Sequence, residues 1–285
     1  MNKSIAVITG ATDGIGLEAT KGLLKEGFFV IGTGRNTDKT KMVEENLRKS
    51  YGENVKYFIA NLSLLKNTKQ LYKDISEYIE QSGGSLTVLI NNAGCYVSKK
   101  TITEEGFEKT EAVNYLSPFL LSHLFMPQLK KSDQGKIIST GSHSHYKAAV
   151  NCTKFTYKGF YFGYFAYRKS KLKLTMMTQE LNNRYSSDNF KAFIADPGLV
   201  NTYLVQKSSK GIDSIFWSMR KRSGITVEEG ASTIVYLAKQ QLSSLPYHYY
   251  YLCQPKNPSK FSQNPSKCNL LYEQTKKLLS EYLND

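Results

Sequence analysis

The chain has 285 residues, 40% of them hydrophobic, and its 38 Lys and Arg against 24 Asp and Glu give a formal net charge of +14. This apolar content, with 14 Phe and 20 Tyr, supports a real core and excludes a largely disordered chain. The lysines are spread along the whole length, which favours a solvated basic surface that attracts a phosphate-bearing cofactor. The sequence offers no groove-reading motif, so we expect no nucleic-acid partner.

The cysteines and histidines do not group as metal ligands. His143 and His145 are two residues apart, but no second pair completes a zinc site. The cysteines are far apart and are expected to be free thiols in a reducing compartment: Cys95, Cys152, Cys253 and Cys268. The first predicted strand begins at residue 5, which leaves no room for a signal peptide, and no stretch approaches the ~18 apolar residues of a membrane span. We therefore expect a cytoplasmic protein without a bound metal.

Apolar runs alternate with amphipathic segments from one end of the chain to the other. Strands are predicted at 5–9, 28–33, 55–60, 86–91, 136–140, 189–196 and 247–252. Helices are predicted between residue 14 and Gly27 and over 38–50, 67–81, 103–130, 164–184, 226–240 and 268–283, with Pro118 and Pro127 interrupting the fourth. This alternation predicts a single α/β domain over 1–285, a doubly wound parallel sheet of the Rossmann type with helices on both faces, in three layers.

A glycine-rich turn follows the first strand. Gly10, Gly14 and Gly16 lie where the strand ends and the helix begins. Glycine lets a ligand approach the main chain, and the helix N-terminus favours an anion, so the turn is predicted to hold a pyrophosphate. The turn lacks the Gly-Lys-Ser/Thr of a Walker loop, its spacing differs from the commoner Gly-x-Gly-x2-Gly, and a plain structural turn is the alternative. The other candidates in this turn are Thr12, Asp13 and Ile15.

Arg35 and Asn36 follow the second strand, where a dinucleotide fold recognises the cofactor ribose. An acidic residue at this place binds the 2′-hydroxyl of NAD(H), whereas an arginine accepts the 2′-phosphate of NADP(H). The sequence therefore favours NADP(H) over NAD(H). An ordinary surface arginine is the alternative interpretation of Arg35.

A tyrosine and a lysine in the helix at 164–184 are candidates for proton transfer. Tyr167 and Lys171 are four residues apart, which places them on one helix face. A nearby ammonium is expected to lower the tyrosine pKa from its reference value near ~10 and so to prepare the hydroxyl for proton exchange. A chance occurrence is the alternative, because Tyr and Lys are abundant in this chain.

Taken together, these motifs and Asn91-Asn92-Ala93-Gly94 resemble the short-chain dehydrogenase/reductase superfamily. The 24 residues between Ser142 and Tyr167 are similar to its retinol-dehydrogenase-like and WW-domain-oxidoreductase-like branch. The resemblance implies that Tyr167 is the general acid or base, that Ser142 orients the substrate oxygen, and that Asn114 holds a water of a proton relay. Lys171 would lower the tyrosine pKa and bind the nicotinamide ribose. Ser139, Thr140 and Ser144 remain alternatives to Ser142, and a surface asparagine is the alternative for Asn114.

The resemblance also implies further cofactor contacts. Asn61 and Leu62 would lie near the adenine, although the superfamily usually has Asp at the position of Asn61. The remaining residues implied to bind the cofactor are Asn92, Ala93, Gly94, Pro197, Gly198, Val200 and Thr202.

The segment 203–224 corresponds to the mobile substrate lid of the superfamily. Ile212, Ile215, Phe216 and Met219 fall on one apolar helix face, which suits an apolar aldehyde, ketone, retinoid or steroid. Ordinary core packing and a basic amphipathic helix on a membrane surface are alternatives, the second because of Arg220-Lys221-Arg222. We expect an NADP(H)-dependent oxidoreductase of a small carbonyl or alcohol. A non-catalytic NADP(H) sensor or scaffold is the alternative, and oligomers are common in the superfamily.

Overall fold

A mixed sheet forms the centre of the computed structural model, which describes residues 3–155, 161–198 and 225–284. The strands in these ranges are β1 Ser4–Ile8, β2 Phe29–Gly34, β3 Val55–Ile59, β4 Ser85–Asn91, β5 Gly135–Thr140, β6 Phe190–Asp196, β7 Tyr249–Tyr251 and β8 Gln254–Pro255. Their order is β3-β2-β1-β4-β5-β6-β7-β8, and only β8 is antiparallel to its neighbour among them. The order in which successive strands are added to the sheet reverses between β1 and β4, and a doubly wound sheet opens a crevice for a ligand at such a point.

Helices cover both faces of this sheet. The helical segments are α1 Gly14–Lys25, α2 Thr37–Tyr51, α3 Leu65–Ser82, α4 Lys109–Glu111, a π-helical turn Ala112–Leu116, α5 Ser117–Lys130, α6 Gly163–Tyr185, α7 Val227–Lys239, α8 Pro265–Leu278 and α9 Ser280–Leu283. Alternate residues of β1 enter different cores: Ile5 and Val7 pack with α3, α5, α6 and α8, whereas Ala6 and Ile8 pack with α1 and α7. The predicted three-layer α/β fold is confirmed.

The helix predicted over 103–130 differs from the observed helical segment in where it begins and in the effect of its prolines. Residues 103–108 form a turn, because Gly106 takes a φ of +84° and a bridge joins Ile102 to Glu108. Helix α4 begins only after Glu108, whose carboxylate caps it. The predicted interruptions are wrong, because Pro118 lies in the first turn of α5, directly after the π-helical turn, and Pro127 lies inside α5.

Three other features bear on the sequence predictions. In the part of the chain that the structure describes, we find no helix with both the length and the apolar character needed to cross a membrane. The predicted lid at 203–224 lies outside the described residues. The predicted terminal helix begins earlier than expected, at Pro265, and breaks at Leu279 into α8 and α9.

Candidate active site

The glycine-rich turn is packed directly against the segment that follows β4. A Cβ atom on Gly10, whose φ is +67°, would lie 2.9 Å from Ala93 Cα. A Cβ atom on Gly16 would lie 2.2 Å from Gly10 O, so neither position admits a side chain without movement of the backbone. Asp13 caps α1 by accepting a hydrogen bond from Gly14 N, and the first N–H groups of the helix lack partners within it. The turn therefore has the construction of an anion site.

Asn92 ties the ends of three strands together at this crevice. Its Nδ2 donates to Thr9 O at 2.9 Å and to Gly10 O at 3.2 Å, while Thr140 Oγ1 donates to its Oδ1 at 3.2 Å. Thr9 Oγ1 in turn accepts from the backbone N–H groups of Asn92 and Ala93. The side chain of Asn92 thus shapes the predicted cofactor site by holding the backbone around it.

The end of β2 has no room for an acidic residue. A Cβ atom on Gly34 would lie 2.1 Å from Thr40 Oγ1 and 2.5 Å from Thr12 Cγ2. The neighbouring Arg35 is exposed, and among the described residues nothing forms a hydrogen bond or ion pair with it. Asn36 caps α2 by accepting from Lys39 N at 2.8 Å. Arg35 is thus available to an anionic ligand at this edge of the crevice.

The side chains of the two predicted adenine neighbours, Asn61 and Leu62, make contacts within the protein. Asn61 Oδ1 accepts from Ser63 N and Ser63 Oγ, at 3.2 and 2.8 Å, and closes a local turn. Leu62 is buried in the core, so its main chain is the part that a cofactor would meet. Ile15, a candidate of the glycine-rich turn, is half-buried and packs against the core that contains α1 and α7.

The π-helical turn determines how Asn114 is presented. Each polar atom of its amide has a partner: Nδ2 donates to Cys95 O and Ser170 Oγ, both at 3.0 Å, and Oδ1 accepts from Cys95 N at 2.8 Å. Insertion of a residue into a helix is common at functional sites, and the wider turn also frees main-chain carbonyls. The surface alternative for Asn114 is wrong, because the residue is completely buried.

Lys171 reaches toward the same place from α6. Its Nζ donates to Thr140 O at 2.8 Å and lies 5.9 Å from the centre of the Tyr167 ring. A Cβ atom on Gly94 would be 3.7 Å from this Nζ and 3.5 Å from Asn114 Oδ1. Gly94 therefore separates the asparagine and the lysine without filling the space between them. Burial lowers the pKa of Lys171 to about 8.

Ser142 supplies the hydroxyl that faces Tyr167. It follows β5 and caps a short 3₁₀ turn, with its Oγ 2.9 Å from Ser144 Oγ. Burial raises the pKa of Tyr167 to about 12, and a hydrogen bond with Ser142 lowers it in part. The expectation that Lys171 brings this pKa below ~10 is therefore wrong, because loss of solvent around the phenol is the largest influence on its pKa.

A buried polar network behind Ser142 was not predicted. His145 Nδ1 lies 2.8 Å from Ser142 O, and its Nε2 accepts from Ser259 N at 3.1 Å. These contacts identify the tautomer with the proton on Nδ1. The sequence showed His145 only as a poor metal ligand, and the pattern carries no signal for the distant Ser259.

The Pro-Gly loop leaves β6 next to this network. Asp196 is completely buried, its Oδ1 accepts from Gly198 N at 3.0 Å, and its Oδ2 accepts from Tyr249 OH. Gly198 takes a φ of +76° and lies against the Tyr251 ring, which explains a glycine after Pro197. Val200 and Thr202 lie outside the described residues.

Aromatic side chains lie next to Tyr167 and at the start of α6. The Tyr96 ring lies 6.2 Å from the Tyr167 ring, edge to face. Phe165 is 52% exposed on the first turn of α6, and its ring lies 5.1 Å from Phe162 and 5.7 Å from the Arg168 guanidinium. The described part of the Phe- and Tyr-rich insert thus exposes aromatic surface at the first turn of α6.

Known proteins share both the sequence pattern and the fold. Residues 4–213 match the family model for short chain dehydrogenases. Polyprenol dehydrogenase of Homo sapiens is 30% identical over 262 residues, which cover 87% of this chain and 76% of the relative. Retinol dehydrogenase 11 of Mus musculus is 31% identical over 253 residues, which cover 88% of this chain and 78% of the relative.

Solved structures agree at the level of the fold. An uncharacterized protein from Mycobacterium paratuberculosis superposes with a TM-score of 0.75 at 23% identity, over 98% of this chain and 93% of that one. A short-chain dehydrogenase from Sphingobium yanoikuyae in complex with NADPH has a TM-score of 0.65 at 20% identity, over 81% and 83% of the two chains. The chain therefore belongs to the short-chain dehydrogenase/reductase family, in its retinol-dehydrogenase-like branch, and is an oxidoreductase of alcohol or carbonyl groups.

Proposed function

We propose that the protein is an NADP(H)-dependent oxidoreductase that interconverts an apolar carbonyl compound, such as an aldehyde, ketone, retinoid or steroid, and its alcohol. One observation carries the proposal: α6, the end of β5 and the π-helical turn bring Tyr167, Lys171, Ser142 and Asn114 to one crevice. The crevice lies beside the glycine-rich turn, where an anion site is built. The family supplies the reaction class, and the site supplies the residues that perform it.

The hydride belongs to the nicotinamide, which exchanges it with the carbon of the carbonyl or alcohol group when the cofactor is bound. Tyr167 supplies the matching proton. With a pKa raised to about 12, the phenol is protonated at neutral pH, as a general acid for carbonyl reduction must be. Ser142 forms a hydrogen bond with the phenol and offers a second hydroxyl to the substrate oxygen. The preference for NADP(H) through Arg35, and not this protonation state, is what favours reduction as the direction in the cell.

Lys171 has two tasks in this scheme. Its ammonium stabilises the phenolate that remains after the proton has left, and it has two donors beyond the one used by Thr140 O for a cofactor hydroxyl. Asn114 has no free side-chain donor for a relay water, because both N–H groups of its amide are used within the protein and its Oδ1 already accepts from Cys95 N. We therefore assign any relay contact to its main-chain carbonyl, in the π-helical turn.

The preference for NADP(H) over NAD(H) rests on the end of β2. Arg35 is exposed and has no partner among the described residues, and Gly34 leaves no space for a carboxylate that would repel a 2′-phosphate. Lys39 adds a second cation nearby, although its Nζ is 2.5 Å from Asp13 Oδ2. A bidentate contact from Arg35 to phosphate would supply the discrimination.

Two features support an apolar substrate. The relatives are named for polyprenol and retinol, which are apolar alcohols. The Tyr96 ring lies 6.2 Å from the Tyr167 ring and supplies aromatic surface beside the phenol. We also propose a cytoplasmic location, in keeping with the four free cysteines, and peripheral contact with a membrane.

Oxidation of NADPH in the presence of retinal, decanal and a steroid ketone tests the proposal. We expect turnover with at least one of them, loss of turnover in Tyr167→Phe, and unchanged NADPH binding in that variant. NADPH binding without turnover of any carbonyl or alcohol would instead make the protein a cofactor sensor or scaffold.

A further inference from the structure

A buried ion pair lies close to the candidate catalytic residues, and the scheme above gives it no task. Lys173 Nζ contacts Glu111 Oε1, and the two side chains are only 4% and 0% exposed. Removing two charges from water costs so much that a buried pair is weak evidence for stability. The best-attested use of such a pair is to fix which parts of a fold meet, in a single register.

The two partners belong to the two helical segments that carry the proposed chemistry. Glu111 ends α4, directly before the π-helical turn that holds Asn114. Lys173 lies on α6, two residues beyond Lys171. The ion pair therefore spans the contact between these segments.

A second contact joins the same segments one step further along. Asn114 Nδ2 donates to Ser170 Oγ at 3.0 Å, and Ser170 Oγ donates to Tyr167 O at 2.8 Å. Glu111 lies three residues before Asn114, whereas Lys173 lies three residues after Ser170. The segments run antiparallel, so the ion pair and the contact of Asn114 with Ser170 are adjacent contacts between the same two segments. A shift of one segment at the ion pair would therefore displace the asparagine contact.

Both partners are held in place by their surroundings. Glu108, itself buried, accepts from Glu111 N at 2.9 Å and from Tyr161 OH at 3.0 Å. Lys173 Nζ lies 4.5 Å from the centre of the Phe155 ring. Burial raises the pKa of Glu111, and Lys173 opposes this rise. Among the described residues, Glu111 Oε2 has no partner, so the carboxylate depends on Lys173.

We propose that Glu111 and Lys173 are positioning residues whose contact sets the register between the π-helical turn and α6, and thereby holds Asn114 against the segment of Tyr167 and Lys171. The inference rests on the proposed function, because it gives the pair a role in aligning that proton-transfer site. If the pair only stabilised the fold, restoring the stability of a variant would also restore its kcat. If the pair positions Asn114, kcat stays low when stability is restored.

The test compares Glu111→Gln with the double variant Glu111→Leu/Lys173→Met, using NADPH and the carbonyl that the wild-type protein turns over best. In Glu111→Gln the cation is left without its partner charge, and we expect a lower Tm and a kcat reduced about tenfold or more, since small misplacements at an active site have effects of this size. The double variant has apolar groups of similar volume, so its Tm should return toward the wild-type value while its kcat stays low. KM and the NADPH dissociation constant should change less than about threefold in both variants.

Recovery of wild-type kcat together with Tm in the double variant would show that the pair is only structural and would overturn the proposal. Glu111→Asp keeps the charge and shortens the side chain, so it is expected to fold even if Glu111→Gln does not. An unchanged kcat in Glu111→Asp would also count against the proposal. Arg184→Met, which removes a cation from the more exposed end of α6, is the matched control and should leave kcat unchanged. Tyr167→Phe in the same assay separates the two hypotheses: wild-type turnover in that variant would refute the proposed function rather than the role of the pair.

Discussion

Lys171 and Tyr167 lie on one face of α6, with the ammonium 5.9 Å from the centre of the phenol ring, yet burial rather than this lysine determines the acidity of the phenol. The tyrosine pKa is raised to about 12 and the lysine pKa is lowered to about 8. Of the two groups, the lysine is therefore the one that titrates near physiological pH.

The pH dependence of carbonyl reduction should follow this lysine. We expect kcat/KM for NADPH to fall as pH rises through about 8, because Lys171 loses the charge that stabilises the phenolate. Lys171→Arg keeps a cation at all accessible pH values, so its residual activity should lack this fall. Rate profiles from pH 6 to 10 for the two proteins check the assignment. A flat profile in the wild type would show that Lys171 does not titrate in this range, and the same fall in Lys171→Arg would assign the titration to another group.

Arg35 should discriminate between the two cofactors. Arg35→Ala is expected to weaken NADPH binding about tenfold to hundredfold, because a charge-assisted contact to phosphate is lost. Binding of NADH, which lacks the 2′-phosphate, should change little. Fluorescence titration with both cofactors measures the ratio, and Lys41→Ala, another exposed cation on α2, is the control. Equal weakening for NADPH and NADH would remove the basis for the NADP(H) preference.

The half-buried His123 should make the protein sensitive to acid. Its ring lies 2.8 Å from Phe119 O and 2.6 Å from Tyr272 OH, and burial lowers its pKa to about 4. The unfolded chain therefore binds a proton below about pH 6.5 that the folded protein does not, so stability falls with decreasing pH until about pH 4. At pH 5 this amounts to about 2 kcal/mol of unfolding free energy relative to pH 7.

Urea unfolding at pH 7 and pH 5 checks this effect. His123→Gln should lose stability at pH 7, where its hydrogen bonds are disturbed, but should lose less between pH 7 and pH 5 than the wild type. His143→Gln, at an exposed position, should keep the wild-type pH dependence. If His123→Gln shows the full wild-type loss, the acid sensitivity comes from elsewhere, for example from His145 or His248, whose pKa values burial also lowers.

The sequence identified the parts of this protein that follow local rules. Strand and helix periodicity located β1 to β6, and short motifs located Tyr167, Lys171 and Asn92, because each depends on a spacing along the chain. The π-helical turn was missed, since an inserted residue leaves the helical pattern of the neighbouring residues almost unchanged.

Contacts between segments that are distant in the chain could not be predicted from spacing along the sequence. The partnership of Glu111 with Lys173 joins residues 62 positions apart, and that of His145 with Ser259 joins residues 114 apart. The raised pKa of Tyr167 was missed for the same reason, because burial is decided by packing of the whole domain and not by the lysine one helical turn away.

The kcat of carbonyl reduction in Tyr167→Phe, set beside that in Tyr164→Phe, tests the central claim most directly. Both variants lose one hydroxyl from the first turns of α6, but only the first loses the proposed proton donor. We predict that kcat falls about a hundredfold or more in Tyr167→Phe and stays near the wild-type value in Tyr164→Phe, with NADPH binding retained in both. Comparable kcat values in the wild type and Tyr167→Phe would contradict the account.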